Sequence, residues 1–246
     1  MKKFLLSIGL VAGLFASDKL ISQTELNNVL KATPIYGKLK ADEKRGMIEK
    51  IRGVKKDGFY IIQIIAKRGQ GVIYVTADKK YTILGRVIDN KSGQIVRANF
   101  PVNKDIVKNG ISFTFGHGKK EIYVVTDPEC PFCRRMEAQT KDKLAKDYTV
   151  HVILFPLPFH RYARAMSYYI LAGKTDAEKA KRFKAVLGGS DEWKNYKPTP
   201  QERAKFLKEL QKSKKAVEEL GARGTPTVYD QNFNQIDWTT LTGAKK

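Results

Sequence analysis

Hydrophobic and polar positions alternate along this chain with several distinct periods. The segment ISQTELNNVLKA carries Ile21, Leu26, Val29 and Leu30 at helical spacing. Ser22 is placed to cap that helix, Glu25 to complete a capping box, and Ile21 to staple onto Leu26. The helix is expected to stop near Thr33-Pro34. From Gly46 to Ile88 the texture becomes that of strands. GMIEKIRGV, FYIIQIIA, GVIYVTA and YTILGRVI are short β-branched runs, separated by the charged, Gly-containing or Asp-containing breaks at 55–58 and 77–80. This part reads as a helix followed by an antiparallel meander. The turn Asp89-Asn90-Lys91-Ser92-Gly93 closes it. A polar stretch with one short helix around Asp105 follows, to about Lys120.

EIYVVT then forms a near-continuous apolar run, as in a strand buried on both faces. It leads through DPECPFC into RRMEAQTKDKLAKDY, where Met136, Thr140 and Leu144 share a helical face. TVHVILFPLP gives a second strand ended by prolines. Residues 160–187 read as helical, with Tyr162, Ala165, Met166, Tyr169 and Ile170 as the apolar stripe. After the loop GGSDEWKNYKP, Thr199-Pro200-Gln201-Glu202 opens another helix with a capping box and proline at its first position. A break in that helix is expected near Ser213. GTPTVYD and NQIDW are short strands around a turn at Gln231-Asn232. There are no internal repeats.

The only cysteines are Cys130 and Cys133. A bridge between them closes too small a loop to stabilise much by chain entropy. A zinc site needs four ligands, and His117, His151 and His160 have no paired spacing to supply the rest. No metal and no separate cofactor is expected; the redox-active group is the Cys130-Cys133 pair itself. Cys130 falls at the start of a helix, where unpaired N–H groups and the macrodipole favour a thiolate. Arg134 and Arg135 add positive charge and Glu129 opposes them. Cys133, one turn further in, is expected to be more buried and to act second. Pro131 stiffens the loop, and Phe132 and Arg134 modulate the pair. The three histidines read as ordinary linker, strand and helix-start residues, and His160 is the one that a Pro-rich turn could bring near the site. Strand, Cys-x-x-Cys, helix, strand, helices and Thr-Pro before two strands is the order of a thioredoxin fold with helices inserted. That order favours a cis bond at Thr225-Pro226.

Composition adds compartment and partners. With 46 basic against 25 acidic side chains the formal charge is +21, which attracts polyanions and acidic partners. The first sixteen residues argue against nucleic acid as the partner. MKKFLLSIGLVAGLFA has a basic start, an apolar run too short to span a bilayer and small residues where a peptidase cuts, as in a secretory signal peptide. The remainder then faces an oxidising compartment. The expected organisation is a signal peptide at 1–16, a strand-rich domain at 17–94, a linker at 95–118 and an α/β thioredoxin-like domain with a helical insertion at 119–246. A first domain of roughly 70 residues is marginal alone and gains stability by pairing.

The stretch from GVIYVTADKKYTILGRVID through VVTDPECPFCRRM to GTPTVY resembles the periplasmic DsbC/DsbG family of thiol:disulfide isomerases. The resemblance implies an α+β N-terminal dimerisation domain and a V-shaped homodimer whose two thioredoxin-like domains face a cleft for misfolded, cysteine-containing clients. It makes Cys130 the nucleophile, Cys133 the resolving thiol and Thr225 with Pro226 the substrate-binding cis-Pro loop. It implies an inner-membrane electron donor of DsbD type, and a periplasmic location. An oxidase on the same scaffold, recharged by a partner of DsbB type, a cleft-based chaperone, and a dedicated reductant for one partner are the alternatives. The chain lacks the additional cysteine pair of some members. It has Val124 where thioredoxin and the DsbA oxidases place a buried acid, which disfavours a thioredoxin-like reductase.

Overall fold

A computed structural model describes residues 18–67 and 69–242, so the expected signal peptide lies outside the described residues. The first unit begins with α1 (Gln23–Lys31) and α2 (Tyr36–Lys44). The antiparallel meander β1 (Ile48–Lys56), β2 (Phe59–Ala66), β3 (Gly69–Thr76) and β4 (Thr82–Ile83) follows, in the order β1-β2-β3-β4. Ser22 caps α1 by accepting from the Glu25 N–H. The capping box is not completed, because the Glu25 carboxylate accepts instead from the Tyr60 hydroxyl on β2 at 3.1 Å. The helix α2 is an addition to the sequence reading: its one buried residue is Leu39, which gives too weak a stripe to announce a helix.

The apolar run of β2 is long because both of its faces are covered. Tyr60 and Ile62 pack with Ile73 and Val75 under Leu26, Val29 and Leu30 of α1. Ile61 packs with Val54 and Tyr74 under Val87, Val96, Ala98 and Phe100 of the following segment. Fully burying such an aliphatic side chain stabilises by about 1.5–3 kcal/mol. β4 is much shorter than YTILGRVI suggests. As an edge it has a partner on one side only, and Tyr81 and Leu84 are exposed.

The second sheet has the order β5-β7-β6-β8-β9. Its strands are β5 (Phe113–Phe115), β6 (Lys120–Thr126), β7 (Tyr148–Leu154), β8 (Thr227–Asp230) and β9 (Gln235–Ile236). Only β6 and β7 run parallel; the other neighbours are antiparallel. Five helices cover it: α3 (Lys104–Asn109), α4 (Pro131–Asp147), α5 (Ala163–Leu171), α6 (Asp176–Leu187) and α7 (Pro200–Leu220). Ile122 and Val124 of β6 face a core shared with α4, α5 and α6, and Tyr123 and Val125 face α3 and α7. Met136, Thr140 and Leu144 are all buried on α4, as their spacing predicts.

Four expectations need correction. The stretch 95–118 contains the short helix expected around Asp105, as α3, but it is not only a linker, since it also supplies the paired strand β5. Residues 160–187 form two helices, separated at Gly173–Thr175, where the Thr175 hydroxyl starts α6 by capping Glu178 N–H. The buried stripe of α5 runs through Ala163, Met166, Ser167 and Ile170, while Tyr162 and Ala165 are exposed. Finally, α7 does not break at Ser213. The hydroxyl there is buried and donates to the Gly110 carbonyl at 2.9 Å, so a polar residue in mid-helix serves a neighbouring turn.

That turn has no room for a side chain. A Cβ at Gly110 would lie 2.4 Å from the Ala216 Cβ and 2.8 Å from the Lys212 carbonyl oxygen. Gly110→Ala is expected to destabilise the protein by about 1–3 kcal/mol, the usual cost of overpacking. A lower urea midpoint at unchanged slope checks it; an unchanged midpoint would show that α3 and α7 part without cost.

The two units meet through a polar latch. Arg52 of β1 is 6% exposed. Its guanidinium donates to Gln63 Oε1 (2.7 Å), the Pro101 carbonyl (2.8 Å), Glu219 Oε1 (3.4 Å) and the Glu219 carbonyl (3.0 Å). Lys50 pairs with the other Glu219 oxygen at 3.2 Å. Gly221 ends α7 in the left-handed region with φ 75°, close enough to Gln63 Nε2 that a Cβ would sit 2.7 Å away.

Candidate active site

The site lies where β6 passes into α4. Cys130 is the N-cap of α4 and Pro131 its first residue, where a missing N–H costs nothing. The helix therefore starts at the cysteine pair, as the sequence predicts. Cys130 is 4% exposed and Cys133 1%, and both are free thiols. The cis bond expected at Thr225-Pro226 is present. It precedes β8, the neighbour of β6, and so comes up beside the cysteines: the Cys130 thiol donates to the Thr225 carbonyl at 3.4 Å. All four residues predicted for the centre are thus brought together.

Burial pushes the Cys133 thiol up to about 12. The Asp127 N–H, 3.5 Å from Cys133 Sγ, and the Thr126 and Thr225 side chains offset part of that effect, while Cys130 adds to it. Val124, at the position of the acid found in thioredoxin, is buried in the apolar core that holds both cysteines.

Phe132 is 56% exposed, and Arg135 lies over its ring at 5.5 Å from the centroid. Arg134 is half-buried and Pro131 is exposed beside the thiols. His160 does approach the site, through Asp127. His151 instead contacts Thr114 Oγ1 (3.0 Å) and Glu121 (3.4 Å) on the far side of the sheet, and His117 sits at the turn leading to β6.

Asp127 is the residue the sequence reading passed over. Its carboxylate is fully buried and accepts from the Glu129 N–H (2.7 Å), the Leu157 N–H (2.6 Å) and His160 Nδ1 (2.9 Å). Glu129 accepts from the Tyr162 N–H at 2.6 Å. The two acids flanking Pro128 therefore clamp the loop at 155–162 against the cysteine turn. The signal was an Asx pattern at Asp127-Pro128-Glu129, but its partners lie about thirty residues downstream and no local rule names them. The clamped loop carries Phe159 and Tyr162, 77% and 43% exposed.

Residues 112–237, just over half of the chain, match the family model described as a thioredoxin-like domain. No curated protein matches. Among solved structures, the chain is similar to ScsC of Proteus mirabilis in a transitional conformation, at 18% identity and a TM-score of 0.41 over 56% of this chain and 72% of that one. It is similar to DsbG of Helicobacter pylori at 15% identity, with a TM-score of 0.39 over 78% and 97%. It is also similar to the thiol-disulfide exchange protein alpha-DsbA2 of Wolbachia pipientis, at 20% identity and a TM-score of 0.43 over 57% and 88%.

Proposed function

The chain belongs to the thioredoxin-like family, and from that we propose that it is a thiol-disulfide oxidoreductase that reduces and rearranges wrong disulfides in exported proteins. The observation that carries the reading is the meeting of a Cys-x-x-Cys at a helix start with the cis Thr225-Pro226 loop, Cys130 Sγ lying 3.4 Å from the Thr225 carbonyl oxygen.

In the proposed cycle the Cys130 thiolate attacks one sulfur of a client disulfide. A Cys130–client bond forms, the client S–S bond breaks and the client's other sulfur leaves as a thiolate. Two outcomes conserve electrons. A client thiolate attacks the mixed disulfide, which rearranges the client and returns Cys130 as thiolate. Otherwise Cys133 gives up its proton and attacks Cys130 Sγ, forming the Cys130-Cys133 disulfide and releasing a client reduced by two electrons. The pair is then itself the redox group, and an electron donor of DsbD type must restore the dithiol. The backbone beside Pro226 lines an extended client segment, and Phe132, Phe159 and Tyr162 offer it exposed aromatic surface. The isomerase reading places the protein in the periplasm as a dimer joined through its first unit.

Reactivation of ribonuclease with scrambled disulfides tests the reading. The reduced chain is expected to restore activity in that assay faster than it oxidises the fully reduced substrate. Oxidation of the reduced substrate with no rescue of the scrambled form would replace the isomerase with an oxidase. Sedimentation as a monomer at micromolar concentration would remove the dimer.

A further inference from the structure

A cavity of about 440 Å³ lies between the meander, the segment that follows it and the end of α7, away from the thiols. That volume falls in the range of small-ligand sites, roughly 300–1,000 Å³. Its charge is lopsided. Arg52, Arg86, Arg97 and Arg223 line it, and Glu219 is its only lining carboxylate among the described residues. Glu219 is already engaged by Lys50 and Arg52, and it accepts from the Asn103 N–H at 3.1 Å. Among the described residues no carboxylate pairs with Arg86, Arg97 or Arg223.

These three guanidiniums act on one another and on a shared wall. Arg223 is held below the ordinary arginine range, first by partial desolvation against the cavity; Tyr74 opposes the effect, and the charges of Arg97 and Arg86 add to it. The charges of Arg97 and Arg223 are also felt by the buried Tyr229 hydroxyl, which donates to the Leu220 carbonyl at 3.0 Å. Like charges gathered around one concavity disfavour each other unless an anion fills it. Guanidinium forks match the oxygens of a phosphate group in particular.

We propose that this cavity is a binding site for a compact phosphate-class anion carrying two or more charges, held by Arg86, Arg97 and Arg223. Neither cysteine lines the cavity, although Gly224 and Thr227, on either side of the cis Thr225-Pro226 bond, form part of its wall. The high net charge of the chain makes loose anion association unavoidable, so the test must separate a site from a surface.

Calorimetric titration of the full chain with pyrophosphate, at constant ionic strength, provides that separation. Saturable binding at one site is expected. Arg97→Gln and Arg223→Gln should each weaken it by about tenfold or more, the loss expected for a charge-assisted hydrogen bond. Lys208→Gln, an exposed α7 residue outside the cavity, should leave it unchanged. Because Arg97 and Arg223 are exposed, both variants should keep the circular dichroism of the parent. Glycerol 3-phosphate distinguishes sources: binding of both compounds means the phosphate group itself is read, and binding of pyrophosphate alone means a free inorganic anion. Failure to saturate, or equal losses in Lys208→Gln and Arg97→Gln, would overturn the site. Citrate binding as tightly as pyrophosphate would overturn the phosphate assignment.

Discussion

Cys130→Ser is expected to lower disulfide reduction by about a thousandfold or more, since removing a nucleophile removes the chemical step with it. Cys133→Ala should behave differently and accumulate a covalent Cys130–client adduct, visible on a non-reducing gel and released by dithiothreitol. The parent protein carries a further signature. With the Cys133 thiol pushed up to about 12 by burial, its thiolate is scarce at neutral pH. The resolving step should therefore accelerate about tenfold per pH unit between roughly pH 6 and 9, following the thiolate fraction. Stopped-flow decay of a preformed mixed disulfide reads this directly; a plateau inside that window would show that deprotonation of Cys133 does not set the rate. Stability carries the same group with the opposite sense. An unfolded chain ionises a thiol at about 8.5, whereas the folded one retains the proton to about 12. Between those values the unfolded state binds fewer protons, so this contribution to stability is whole below the lower value and is lost as pH rises through the window.

Asp127→Ala carries the second large effect. The substitution strands two partly buried N–H groups and removes the partner of His160. A loss of about 1–3 kcal/mol per stranded group is expected, the cost of leaving a donor without its acceptor. Urea unfolding measures it. The clamp also predicts that protease cleavage within 155–162 becomes faster in Asp127→Ala than in a core variant of equal stability, such as one at Leu144. Equal cleavage would mean that the loop holds its place without the carboxylate.

The contrast between Asp127 and its neighbours shows which parts of this molecule can be read from its sequence. Cys130, Cys133 and Thr225-Pro226 announce themselves because their spacing and residue types carry the chemistry. FYIIQIIA became β2 with both bounds as read, because glycine-bearing turns punctuate a run with strong β-propensity. The Thr199-Glu202 capping box formed in full. Elsewhere the deciding partner is remote in sequence. Glu25 leaves its own helix for Tyr60, Ser213 is kept in mid-helix by Gly110, and Asp127 reaches Leu157 and His160. Phe113–Phe115 is too short to show a period, and it is a strand only because β7 pairs with it. Local pattern thus accounts for element type, while polar side chains with distant partners account for most of what it missed.

The Arg52 latch limits how this protein can be taken apart. Two of its four acceptors, the Glu219 carboxylate and carbonyl, belong to the thioredoxin-like half, whereas Arg52 itself is buried in the meander. A cut in the connecting segment that let the halves part would break the Arg52–Glu219 contacts and leave Arg52 with Gln63 from its own fragment. The halves are matched parts, and a chimera that exchanged the meander for another would have to carry Arg52 and Glu219 across together.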